Sequence, residues 1–61
     1  MCELTVYLVE DGREEMVMED VATIKPDGDK LVLTDLLGQQ KVVAAKFHEL
    51  KLLEHKAYLK R

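Results

Sequence analysis

Cys2 is the one thiol of this chain, and it stands next to the first methionine. A lone cysteine closes no disulfide within its own chain. Its thiolate, its own amide nitrogen once deprotonated and the terminal amine can chelate a soft or borderline divalent metal. Only two-fold pairing of the chain would bring two such thiols to one ion. The rival reading makes Cys2 a small hydrophobe that opens a strand on the face of Leu4.

His48 and His55 come next, because neutral imidazole is a good ligand for borderline metals. They belong to no i, i+4 histidine pair and no Cys-x-x-Cys frame, so they read as surface histidines. Glu14-Glu15 and Glu19-Asp20 are paired carboxylates without the Asp-x-Asp spacing of a calcium loop and without a nucleophile. They read as solvated strand edges, where charge discourages edge-to-edge pairing. Met16 and Met18 are expected to fill irregular core or interface space. The chain has no glycine-rich phosphate loop, catalytic triad or zinc-finger spacing, and it is not expected to be an enzyme.

The elements that must position these residues are short. Turn signals fall at Asp11-Gly12, Pro26-Asp27-Gly28 and Leu37-Gly38. Cys2, Leu4, Val6 and Leu8 alternate with Glu3, Thr5 and Tyr7, the period-two pattern of a half-buried strand. Glu15 to Glu19 forms a second strand, Val21 to Lys25 a third ended by Pro26, and Lys30 to Asp35 a fourth. Val42-Val43-Ala44-Ala45 with Phe47 is an apolar cluster for the core or for a partner chain. The last third has two readings. Propensity alone predicts a helix over about 41–59, from Lys, Leu, Glu and Ala with Val43, Phe47, Leu50 and Ala57 near helical spacing. The alternative is a strand over Gln39 to Ala44, then a hairpin of Phe47 to Leu52 and Lys56 to Lys60 around Leu53-Glu54-His55.

Sixty-one residues make a single domain. A chain of this length buries only about 60% of its unfolded surface, so self-association or a metal is the expected support. One cysteine fits a reducing compartment. No targeting segment is read at the start, and the longest apolar run, Val42 to Ala45, is too short for a bilayer. The expected location is the cytoplasm. Nine Lys and Arg against twelve Asp and Glu give a net charge of −3, which opposes an RNA partner. With two tyrosines, one phenylalanine and no tryptophan, an aromatic stacking platform is not expected. The lysines do gather toward the C-terminal end, leaving room for a small basic face.

The Met1-Cys2 start, the Pro26-Asp27-Gly28 and Leu37-Gly38 turns, the Phe47 to Lys56 stretch and the length resemble the CooT-like small nickel-binding proteins, a family once labelled as RNA-binding. The resemblance spans nearly the whole chain. It implies an all-β, SH3-like small barrel of five to six short strands that forms a homodimer. It also tips the last third toward strands. It further implies a Ni(II)-binding accessory protein that assists nickel insertion into carbon monoxide dehydrogenase. The family's ligand, the cysteine after the initiator methionine, carries over to Cys2. One metal per homodimer would then be held by Cys2 of both chains. Ni(II) with strong-field donors favours a square plane, which thiolates and backbone or terminal nitrogens suit. Whether Met1 is removed, and so which nitrogen serves, stays open. Partners on this reading are a second copy and carbon monoxide dehydrogenase or its maturation proteins, with no nucleic acid and no membrane. The alternatives are a small-barrel RNA-binding module, argued from the lysine-rich last third, and a metal-free protein-interaction module.

Overall fold

The computed structural model describes residues 3–61. Strand β1 (Leu4–Glu10) carries the period-two pattern into space, with Val6 and Leu8 buried and Leu4 packed against the core. Asp11 and Gly12 then turn the chain with φ of 52° and 76°. Two successive positive φ values make a type I′ turn, whose twist matches the flanking strands.

Strand β2 (Arg13–Asp27) is one long element where two strands were expected. Its first part pairs antiparallel with β1, and the part from Val21 onward pairs with β3 (Lys30–Asp35). Asp20 separates the two at a φ of 54°, and register shifts flank it in both ladders. The chain therefore bends without breaking, as a bulge allows. The Asp20 carbonyl still finds a donor, the Leu36 N–H at 2.9 Å. Pro26 does not end the strand: it pairs with Leu31, beyond the reach of the β1 ladder. Its missing N–H costs little there.

The β3–β4 turn is organised by Asp35. Its Oδ1 accepts from the N–H groups of Leu37 at 2.9 Å and Gln39 at 2.8 Å, and its own N–H donates to the Gln39 carbonyl at 2.9 Å. Gly38 completes the turn at a φ of 85°, where a Cβ would be strained.

The last third is extended. It comprises β4 (Gln40–Val43), β5 (Lys46–Lys51), a single 3-10 turn η1 (Leu52–Glu54) and β6 (Lys56–Lys60). The helix that propensity predicts over 41–59 does not form. Parallel pairing of β6 with β1, from Thr5–Lys56 to Val9–Lys60, buries Ala57 and Leu59 completely. That long-range pairing outweighs the helix preference of Lys, Leu and Glu.

Strand order in the sheet is β4-β3-β2-β1-β6-β5. Strands β4 and β5 follow each other in the chain yet occupy opposite edges, joined through Ala44 and Ala45. Six flat strands would hold those edges roughly 24 Å apart, whereas the segment from Val43 to Lys46 spans about 10 Å at most. The sheet must curl on itself, and a hydrogen bond from Ala45 N–H to the Val43 carbonyl, 2.9 Å, tightens the corner. The result is the expected all-β, barrel-like fold. Val6, Leu8, Val21, Leu33, Val43, Ala45, Ala57 and Leu59 fill its interior. Among the described residues no helix is long and apolar enough to cross a membrane.

Candidate metal centre

Cys2 lies outside the described residues. What the fold does place is the end of the barrel to which Cys2 is tethered. Glu3 is half-buried, and its Oε2 is buried without a hydrogen-bond partner among the described residues. Two residues on, the Thr5 N–H donates to the His55 carbonyl at 3.0 Å. His55 is able to present that carbonyl because it closes η1 in the left-handed region, φ 56° and ψ 43°, with its N–H on the Leu52 carbonyl at 3.2 Å. The start of β1 thus abuts η1 and the start of β6.

Histidine ligation receives no support from this geometry. His55 is exposed in the η1 turn, and His48 is the extra residue of a bulge in β5, between the Phe47–Leu59 and Glu49–Tyr58 pairs. His48 sits three strand positions before Lys51, roughly 10 Å along β5. Among the described residues no group of three or more His, Cys, Asp or Glu side chains could hold a metal ion. A metal at this end must therefore draw on the Cys2 region, on backbone nitrogen or on a second chain.

A second chain has a surface to occupy. Phe47 and Leu50 on β5 pair with Leu59 and Ala57, both fully buried. They belong to the same inward face, yet Phe47 is 52% exposed and Leu50 46%. The apolar strip continues into η1, where Leu52 is 68% and Leu53 95% exposed. Every residue of β5 is exposed, and among the described residues one edge of this strand has no partner in the sheet. The core is open along one flank, beside the end where β1 begins.

The remaining sequence candidates are spread apart. Glu14, Glu15, Glu19 and Asp20 are all exposed. Of the two methionines, Met18 packs against the core and Met16 lies exposed on the outer face opposite Tyr7. Of the apolar cluster, Val43 and Ala45 join the core while Val42 and Phe47 stay exposed. A surface depression of about 350 Å³ is lined by Leu8, Glu10, Asp11, Arg13 and Glu15. It adjoins the β1–β2 turn, at the far end of β1 from Cys2, and is not part of the candidate centre.

One arrangement escaped the sequence. Tyr7 and Tyr58 are register partners on β1 and β6, and their rings stack with centroids 5.5 Å apart and planes 23° from parallel. The Lys51 ammonium lies 5.5 Å from the Tyr58 centroid, and that of Lys56 lies 5.7 Å from the Tyr7 centroid. The alternation Lys56-x-Tyr58-x-Lys60 on one strand face was the available signal.

Comparison with known proteins agrees with this architecture. Residues 1–60 match the family described as CO dehydrogenase accessory protein CooT. An uncharacterized protein of Methanocaldococcus jannaschii is 32% identical over 59 residues, which cover 97% of this chain and 96% of that protein. A crystal structure assigned as CooT, from Carboxydothermus hydrogenoformans, superposes with a TM-score of 0.92 at 35% identity. That match covers 98% of this chain and 97% of the other.

Proposed function

The chain belongs to the CooT family of CO dehydrogenase accessory proteins, and on that footing we propose that its cargo is Ni(II), held between two copies by Cys2 of each. Such a protein serves maturation of CO dehydrogenase without itself catalysing a reaction. Each Cys2 contributes a thiolate and a nitrogen in a five-membered chelate, and two copies complete a square plane. The observation that carries this reading is one of position. The uncovered strip of Phe47, Leu50, Leu52 and Leu53 runs toward the end of the barrel where the Thr5–His55 hydrogen bond anchors the start of β1. A second copy laid on that strip in two-fold symmetry buries apolar surface that the monomer leaves wet. It also brings the two amino-terminal segments to the same place. Among the described residues there is no competing three-donor set.

Isothermal titration with Ni(II) under reducing conditions tests the proposal. The expected stoichiometry is half an equivalent per chain for the native protein and none for Cys2→Ser, whose fold stays intact. Equal affinity in the two proteins would remove Cys2 from the site.

A further inference from the structure

The outer face of β1, β6 and β5 breaks a rule of strand pairing that the fold has no need to break. In the β5–β6 ladder Lys46 stands opposite Lys60, and Lys51 opposite Lys56. Like charges directly across an antiparallel pair are destabilising. All four lysines lie on one face: on β6 they alternate with Ala57 and Leu59, which are inside, so they share the outer side with Tyr58. Among the described residues Lys46, Lys51 and Lys60 have no carboxylate within ion-pair reach, and Lys56 has only Glu54 at 4.0 Å. Glu49, opposite Tyr58, is the one acid within the block.

The tyrosine pair explains how the block is held. Tyr58 is only 4% exposed although it points away from the core, because Tyr7 stacks against it and Lys51 lies over its ring. Cation–π contact fixes two ammonium groups on a flat surface in place of letting them splay into solvent. A chain of net charge −3 has thus gathered four lysines on one sheet face, with Glu49 among them and Glu54 beside Lys56.

We propose that this face docks an acidic polypeptide segment of a partner protein. The two lysine pairs are four strand positions apart, roughly 13 Å. That matches the spacing of side chains i and i+4 on one side of an extended peptide. A nucleic acid fits less well. Its non-specific recognition relies on open ring faces for base stacking, and here Tyr58 is covered while lysines of the same chain occupy the faces of both rings. The site faces away from the apolar strip assigned above to the second copy, so it stands independently of the nickel proposal.

Fluorescence anisotropy with a labelled deca-glutamate peptide at low ionic strength reads the interaction, with an oligouridylate of equal length as competitor class. Binding of the peptide by native protein is expected, weakened about tenfold in a Lys51→Glu/Lys60→Glu variant. It should be unchanged in Lys25→Glu/Lys30→Glu, which alters charge on the β2–β3 hairpin. The first variant places opposite charges across both lysine pairs, so its melting temperature should hold or rise. Should it fail to fold, Lys51→Gln/Lys60→Gln takes its place with the same expected loss. Absence of peptide binding, equal weakening in both double variants, or oligouridylate binding as tight as the peptide would overturn the proposal.

Discussion

The backbone amide of Thr5 donates to the carbonyl of His55 across 3.0 Å, and this bond joins the start of β1 to the close of η1. It docks the start of β1 onto the turn between β5 and β6 before the parallel β1–β6 ladder begins at Thr5–Lys56. Cys2 precedes Thr5 by three residues in the sequence, and at this end of the barrel η1 presents Leu52 and Leu53 to solvent.

Nickel affinity should rise with pH. The thiol binds metal only as thiolate, so coordination releases a proton and is favoured as protons become scarce. Affinity is expected to gain about tenfold per pH unit for each thiol proton released, flattening above the usual thiol pKa near 8.5. Titrations across neutral and mildly alkaline pH would show the slope. A pH-independent affinity would point to ligands other than thiolate.

Leu53→Glu should separate the two copies without unfolding either. The side chain is almost wholly exposed in the single chain, so a charge there costs the monomer little. Buried in an interface, the same charge would weaken association by more than about tenfold. Light scattering after size exclusion should give a dimer mass for native protein and a monomer mass for the variant. If both give the same mass, the strip is not the dimer face.

Asp35→Ala should cost about 1–2 kcal/mol of stability. It removes two backbone donors' partner, the Oδ1 that accepts from Leu37 and Gln39. Urea unfolding followed by circular dichroism measures the loss. The turn is exposed, so nickel stoichiometry should be unaffected.

Leu59→Ala should be far more damaging. Leu59 is fully buried at the centre of the curled sheet, between β1 and β5. Truncation of such a residue costs about 2–5 kcal/mol, comparable with the ~3–5 kcal/mol that a core of this size supplies. Far-ultraviolet circular dichroism at room temperature should therefore show a largely unfolded chain.

The parts of the fold governed by neighbouring residues were legible in the sequence. The alternation through Leu4, Val6 and Leu8 marked β1, and Asp11-Gly12 marked its turn. What depended on distant contacts was not. The bend at Asp20 leaves no local trace, since neither glycine nor proline stands there. Only the divided allegiance of β2, to β1 and then to β3, requires it. Residues 41–59 carry good helix formers, and nothing within them announces that β6 will pair in parallel with the first strand. The same holds for the tyrosines. Tyr7 and Tyr58 are isolated in sequence, and only the β1–β6 register makes them a stack ringed by lysines. The sequence named Cys2 as the metal donor, and Cys2 lies outside the described residues; these place the η1 leucines, the His55 carbonyl and the half-buried Glu3 at the end where β1 starts.

Strand β6 has a further meaning when the order of synthesis is considered. It lies between β1 and β5, so the run from β4 through β1 and the strand β5 join into one sheet only when β6 pairs with both. Until then β1 and β5 each present a bare edge. The curl of the sheet is therefore sealed late, when β6 enters between two strands already made.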